Sequence, residues 1–522
     1  MLNKIKSEVK KWFSNNKNLL IRVIVVTFIF GIIAHGYCYF NELLSHDSLY
    51  EMLGGHEYNV RMLQNGRFMK PIYVRFRGNI TLPTYIGFIS LFFISLSTFT
   101  IIKLLDIKNN VFIAIICGIL VTNYSITLTN ATYMHDVDAY SIALFCSSLS
   151  IYMFKNNKFG YIFGTLLLVI TMGFYQAYFS VAIMLLMIVA IKELLSNKDT
   201  KEVIINNIKI LCFMIISILV WYGIFQLTLK VFNVHVVDIY NKVPTFKDLF
   251  NLSELDAVFN NLFNSEKLWF SGRNMHHSWL ILGLNIIFIL MLVYFIIQIE
   301  KIQRITITNV VLVVLVILLM PIGMNIACLM SMGVVHDLMT YSFFLFYVFV
   351  IMLADAYVDI NKIKETNNDI SKILIYVCSF LLLSSNFTYS NEVYLEKNLI
   401  DKSTLSMMTR VLDRMETTNG YKAGETKVAF IGTPVGSDIT DIRLGFINTG
   451  VGTNIPTLIT YYDVYKTYFE SYLSYPINLL SYDEMYDYTQ LQEVKDMSSF
   501  PEEGSVAFVD DVMVVKICDV YD

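Results

Sequence analysis

Apolar runs long enough to cross a lipid bilayer recur through the first three quarters of this chain. A helix needs about 20 apolar residues to cross roughly 30 Å of hydrocarbon. Only 16% of the residues are charged, whereas soluble domains carry about 25%. The sequence therefore predicts an α-helical polytopic membrane protein with about eleven spans. The spans are placed near residues 19–40, 82–102, 111–128, 140–154, 160–174, 175–191, 208–229, 279–299, 308–324, 338–356 and 370–387.

The distribution of Lys and Arg predicts the orientation of these spans. The first run follows a basic flank and has no small-residue cleavage site, so we expect a retained span with a cytoplasmic N-terminus. Short connections on that side carry Lys and Arg, whereas the alternate turns near 129–138 and 333–337 carry none. Two long loops, 41–81 and 230–278, carry five Lys and Arg each, but long loops follow the charge rule weakly. The sequence predicts a multi-pass protein of the plasma membrane.

An odd number of spans places the C-terminal domain, residues 391–522, outside the cytoplasm, after a membrane domain of residues 1–390. This domain has 21 acidic and 10 basic residues, and helical and strand-like stretches alternate along it, as in a small soluble α/β domain. Nine tyrosines between Tyr461 and Tyr488 fit either stacking on sugars or a packed aromatic layer, and packing is favoured. The segment GTPVGSD lacks the residues of a phosphate or dinucleotide loop. Nucleic acid is not expected as a partner.

Histidines and acids gather on the predicted outer face. Three adjacent pairs, His46-Asp47, His135-Asp136 and His336-Asp337, lie at external ends of spans. Charged groups are costly inside the bilayer, so interfacial placement alone explains any single pair. Three pairs on one face favour a functional site.

The loop 41–81 is the segment richest in candidate groups. Arg67, Lys70 and Arg75 follow Asp47 closely, and its apolar pattern predicts short helices at the depth of lipid headgroups. Arg pairs bidentately with phosphate oxygens, so this pattern suits a lipid-linked phosphate as substrate. Binding of anionic headgroups is the competing interpretation.

These residues resemble the type II membrane glucosyltransferases that modify O-antigen and other cell-surface polysaccharides, a branch of the GT-C glycosyltransferases. Four elements over the membrane region and the start of the tail carry the resemblance: His46-Asp47 followed by Asn65-Gly66-Arg67, GFYQAY at 173–178, MPIGMN at 320–325, and the segment 391–414. The chain differs where such enzymes typically have two acids, at His46-Asp47, and a basic residue, near His336-Asp337.

The resemblance implies a GT-C fold, a polyprenyl-phosphate-linked sugar as donor, with glucose expected, and a polysaccharide or glycan acceptor at the outer face. It also implies a separate flippase and an enzyme that makes the donor. Transfer needs a carboxylate to take a proton and cations for the departing phosphate. Asp47 is the predicted base, with Asp136 and Asp138 as helpers or metal ligands; a divalent cation is optional and its ligands are unassigned. The predicted substrate-binding residues are His46, Arg67, Lys70, Arg75, Tyr175, Gln176, His336 and Asp337.

Two other function classes remain open from the residues. A transporter or flippase would also use many spans and basic residues facing lipid, but it is expected to place ionisable groups near the middle of its spans, where this chain has few. A non-catalytic assembly protein would not need acids and histidines gathered on one face.

Overall fold

The computed structural model describes residues 2–52, 56–236, 252–272, 275, 277–361, 370–436 and 457–519. Within these residues, ten helical segments are long and apolar enough to cross a membrane. They are Ser14–Phe40, Pro83–Leu105, Asn110–Thr132, Met134–Asn156, Gln176–Leu195, Thr200–Phe232, Ser278–Gln303, Ile307–Met324, Tyr341–Ile360 and Ile370–Thr417. The predicted polytopic helical fold is confirmed.

The remaining predicted span, near 160–174, is the shorter apolar helix Gly160–Phe174. This helix packs tightly against Val137–Asn156 because glycines line its approach. A Cβ at Gly164 would lie 2.6 Å from the ring of Phe154. A larger side chain there would push the two helices apart.

Polar residues at the chain connections fix where several long helices begin. The side chains of Asn109, Asp199 and Thr306 accept hydrogen bonds from backbone N–H groups in the first turns of the helices that follow them. These caps satisfy donors that a helix N-terminus leaves unpaired.

Short helices and turns connect the long ones. The first loop, residues 41–82, contains His46–Tyr50, His56–Gln64 and Met69–Arg77. Further connecting elements are the helices Leu252–Ser271 and Ile326–Met330 and the single turns Met134–Asp136, Gln176–Tyr178, Asp337–Met339 and Tyr341–Phe344. The short helices predicted for the first loop are present.

The C-terminal domain is built on the far end of the last long helix, Ile370–Thr417, which continues without a break past residue 390. Its four-stranded sheet has the order β2-β1-β4-β3, with β1 Lys427–Ile431, β2 Asn478–Leu479, β3 Val506–Val509 and β4 Val512–Lys516. β1 is parallel to β2 and β4, and β3 and β4 form an antiparallel hairpin. The described part of the domain also contains the helices Tyr462–Thr467, Tyr482–Gln490 and Gln492–Asp496.

The core of this domain includes a residue from the first loop. Leu49, on the helix His46–Tyr50, is 0% exposed and packs with Met407, Tyr468 and the strands. The first loop is therefore held between the membrane helices and the C-terminal domain.

Candidate functional site

A buried ion pair joins the first loop to the start of the helix Val137–Asn156. Lys70 Nζ contacts Asp136 Oδ2 and lies 3.0 Å from the hydroxyl of Tyr140, and the exposed fractions of Lys70 and Asp136 are 0% and 1%. Burial lowers the pKa of Lys70 to about 7 although Asp136 opposes this shift. Lys and Asp are rarely buried unless they are paired, and the Asp136 carboxylate favours the charged form of Lys70 against the effect of burial.

A second buried pair joins the same two helices, two turns further along the helix Met69–Arg77. Arg77 Nη1 donates to both oxygens of Asp138 at 2.7 and 2.8 Å, and Arg77 Nη2 donates to the His135 carbonyl at 3.0 Å. The Tyr73 hydroxyl donates to the same carboxylate at 2.8 Å. Both oxygens of Asp138 are thus engaged, and the pair fastens the helix Met69–Arg77 to the bundle.

The Arg67 guanidinium lies over the ring of Tyr175. Its Cζ lies 4.8 Å from the centre of the Tyr175 ring, which stacks on Tyr140 at 4.3 Å. Arg67 Nε is buried and makes no hydrogen bond to any residue that the structure describes. A buried donor without a partner costs about 1–3 kcal/mol, so this group is suited to receive an anionic ligand.

The turn before Arg67 fixes the position of the Arg67 side chain. Gly66 has φ +69°, a conformation that favours glycine, and a Cβ there would lie 2.7 Å from Trp221. The Trp221 indole donates to the Gly66 carbonyl at 3.1 Å, and Gln176 Nε2 donates to the Asn65 carbonyl at 2.6 Å. Gln176, predicted to bind substrate, lies in the turn Gln176–Tyr178 and supports the turn before Arg67 through the Asn65 carbonyl.

Asp47 is the most accessible of the three predicted catalytic acids. Its side chain is 32% exposed, compared with 1% for Asp136 and 0% for Asp138. His46 Nε2 lies 3.5 Å from Asp47 Oδ2. Burial lowers the pKa of His46, so this ring is a neutral neighbour of Asp47 at pH 7.

The helix that carries Asp47 is attached to the same end of the bundle. Ser45 caps it and donates to the Thr132 carbonyl, and Ser48 Oγ lies 3.1 Å from His135 Nδ1. Burial and the nearby Asp47 carboxylate raise the pKa of Tyr133, which Arg67 opposes. Tyr133 is therefore within electrostatic range of both Asp47 and Arg67.

His336 and Asp337 lie near different groups of residues. Burial and the positive charge of Arg67 lower the pKa of His336. His336 is therefore within electrostatic range of Arg67. Asp337 is within electrostatic range of Tyr124 and Tyr389 instead.

Arg75 does not join the cluster formed by Asp47, Arg67, Lys70, Asp136 and Asp138. On the helix Met69–Arg77, Lys70, Tyr73 and Arg77 share one face because they are three and four residues apart, whereas Arg75 is exposed on another face. Arg61 is exposed as well.

Several residues of the cluster were missed from the sequence. They are Ser48, Tyr73, Tyr133, Tyr140 and Trp221, together with the pairing of Arg77. The helical spacing of Lys70, Tyr73 and Arg77 was the available signal. No three His, Cys, Asp or Glu residues in the described ranges lie close enough together to hold a metal ion.

Comparison with known proteins gives one family match. The model of the family described as glucosyl transferase GtrII matches residues 36–354, a range that contains the first loop, both buried ion pairs and His336. No curated protein and no solved structure matches the chain.

Proposed function

The chain belongs to the glucosyl transferase GtrII family, and on this premise we propose that it moves a sugar, glucose in the first instance, from a polyprenyl-phosphate carrier to a polysaccharide or glycan on the outer face of the plasma membrane. The membrane domain is then of the GT-C type. A separate enzyme makes the donor and a separate flippase delivers it. Family membership favours this function over a transporter or an assembly protein.

The observation that carries the proposal is the Arg67 guanidinium, which has a buried, unpartnered Nε beside the Lys70 ammonium. The planar Arg guanidinium can donate two parallel hydrogen bonds to two oxygens of a phosphate group. The two cations would stabilise the negative charge that develops on the departing polyprenyl phosphate, which is where preorganised charge contributes most to catalysis.

The reaction assigns one role to each acid. The acceptor hydroxyl oxygen forms a bond to the anomeric carbon, its proton passes to Asp47, and the bond from that carbon to the phosphate oxygen breaks, leaving its electron pair on the phosphate. Asp136 holds Lys70 in place, and Asp138 holds Arg77. A divalent cation is optional in this scheme.

Replacing Arg67 with lysine tests the phosphate assignment. Lysine keeps the charge but loses the planar, two-point contact. We expect donor consumption at saturating acceptor to fall about 10- to 100-fold, the loss of one strong charge-assisted hydrogen bond.

Arg61→Lys and Arg75→Lys are the matched controls, because both arginines are exposed in the same loop; we expect them to retain wild-type rates. Arg77 is unsuitable as a control because it belongs to a buried pair. Equal tolerance of lysine at all three positions would show that only diffuse charge is needed.

The proposed outer-face chemistry requires an external C-terminal domain. An alkaline phosphatase reporter, whose disulfides form only outside the cytoplasm, should be active when fused after Asp522 and inactive when fused after Asn197, in the loop predicted to be cytoplasmic. The reverse pattern would contradict the orientation. Fusion within the helix Ile370–Thr417 is avoided because Ser390 is buried there.

A further inference from the structure

We propose that the C-terminal domain forms the acceptor side of the active site, with the exposed ring of Tyr461 as the surface on which a sugar ring of an uncharged glycan stacks. This inference rests on the proposed function and specifies the substrate class and residue for its second substrate.

The helix that carries Asp47 is attached to the C-terminal domain. Leu49, two residues from Asp47, is fully buried in the core of the C-terminal domain, and Met52 packs against the same core. On the other side, Ser48 contacts His135 of the membrane bundle. The candidate base therefore lies at the junction of the two parts.

Tyr461 lies at this junction. Its ring centre lies 6.2 Å from that of His46, edge to face, and His46 Nε2 is 3.5 Å from Asp47 Oδ2. One imidazole ring thus separates the tyrosine from the candidate base. A sugar stacked on Tyr461 would lie on the same side of the junction as His46 and Asp47.

The ring of Tyr461 is exposed. The next three tyrosines after Tyr461 are packed: Tyr462, Tyr465 and Tyr468 are buried in the domain core, whereas Tyr461 is 58% exposed. The predicted aromatic layer accounts for the buried rings but not for the exposure of Tyr461. A tyrosine ring offers an apolar face and a polar edge, and the two faces of a pyranose differ in the same way.

Charge indicates the class of acceptor. The C-terminal domain carries 21 acidic and 10 basic residues, so its field disfavours a polyanionic glycan. The cations of the site, Arg67 and Lys70, lie in the membrane domain, where the proposal assigns them to the donor phosphate. An uncharged saccharide is the acceptor class that fits the Tyr461 side.

The kinetic test uses oligosaccharides released by partial hydrolysis of the surface polysaccharide of the source cells, with the donor saturating. We expect Tyr461→Ala to raise the KM for these oligosaccharides about 3- to 10-fold, the contribution of one aromatic contact. The KM for the donor and its slow hydrolysis by water should not change. Tyr461→Phe should behave as wild type, and so should Tyr486→Ala, which removes another exposed tyrosine of the same domain.

A binding measurement separates this inference from the proposed function. Saturation-transfer NMR of the same oligosaccharides with the full-length, donor-free protein needs no catalysis. Signals lost in Tyr461→Ala and kept in Tyr486→Ala support the subsite, even if the wild-type protein consumes no polyprenyl-phosphate sugar. An unchanged acceptor KM, equal binding by the Tyr461→Ala variant, or no binding by the wild type would overturn it.

Discussion

Replacing Asp47 with asparagine is expected to lower sugar transfer about 10²- to 10⁴-fold, the usual effect of removing a general base. The amide keeps the shape of the side chain but accepts no proton from the acceptor hydroxyl. The fold should tolerate the change because Asp47 is 32% exposed and its neighbour His46 Nε2 is 3.5 Å away. Initial rates of donor consumption, with thermal unfolding of the same sample, measure both effects.

Asp359→Asn is the matched control, since Asp359 is an exposed aspartate paired with Lys108 at the opposite end of the bundle. It should transfer sugar at the wild-type rate. Near-normal turnover by Asp47→Asn would contradict the assignment of the base, and Asp136, beside Lys70, would then be substituted in turn.

Replacing Arg77 with methionine is expected to destabilise the protein by about 3–5 kcal/mol, because it leaves a carboxylate buried without its cation. Asp138 is 0% exposed and both of its oxygens accept hydrogen bonds from Arg77. Thermal unfolding in detergent, followed as the loss of monodisperse protein, measures the change. Transfer activity should fall with the folded fraction.

Arg75→Met controls for the loss of a positive charge from the same helix, and a change within about 0.5 kcal/mol is expected for this exposed position. Adding Asp138→Leu to Arg77→Met should restore part of the lost stability, because the unpaired charge is then removed. Equal stability of the Arg77→Met and Arg75→Met variants would show that the buried pair does not hold the first loop.

The membrane architecture could be predicted because it depends on local sequence. The long apolar runs stand out from the charged segments between them, and each predicted span coincides with an observed helix. The hairpin of the C-terminal domain also follows from local pattern, since apolar strands flank the turn at Asp510-Asp511. Local pattern does not determine which face of a short loop helix meets the bundle.

The site required contacts that no local pattern encodes. Lys70 and Asp136 are 66 positions apart, and the Arg77–Asp138 pair spans 61. Arg75 and Arg77 are chemically alike and two positions apart, yet one is exposed and the other buried because they lie on different faces of one helix. The burial of Leu49 among residues more than 350 positions later shows the same limit.

The most direct measurement of the central claim is the fate of polyprenyl-phosphate-glucose incubated with the purified protein in lipid nanodiscs and the surface polysaccharide of the source cells. The account predicts that the lipid-linked sugar disappears, that free polyprenyl phosphate accumulates in equal amount, and that glucose appears in the polysaccharide, with none of these changes in the Asp47→Asn variant. An intact donor after prolonged incubation with folded wild-type protein would contradict it.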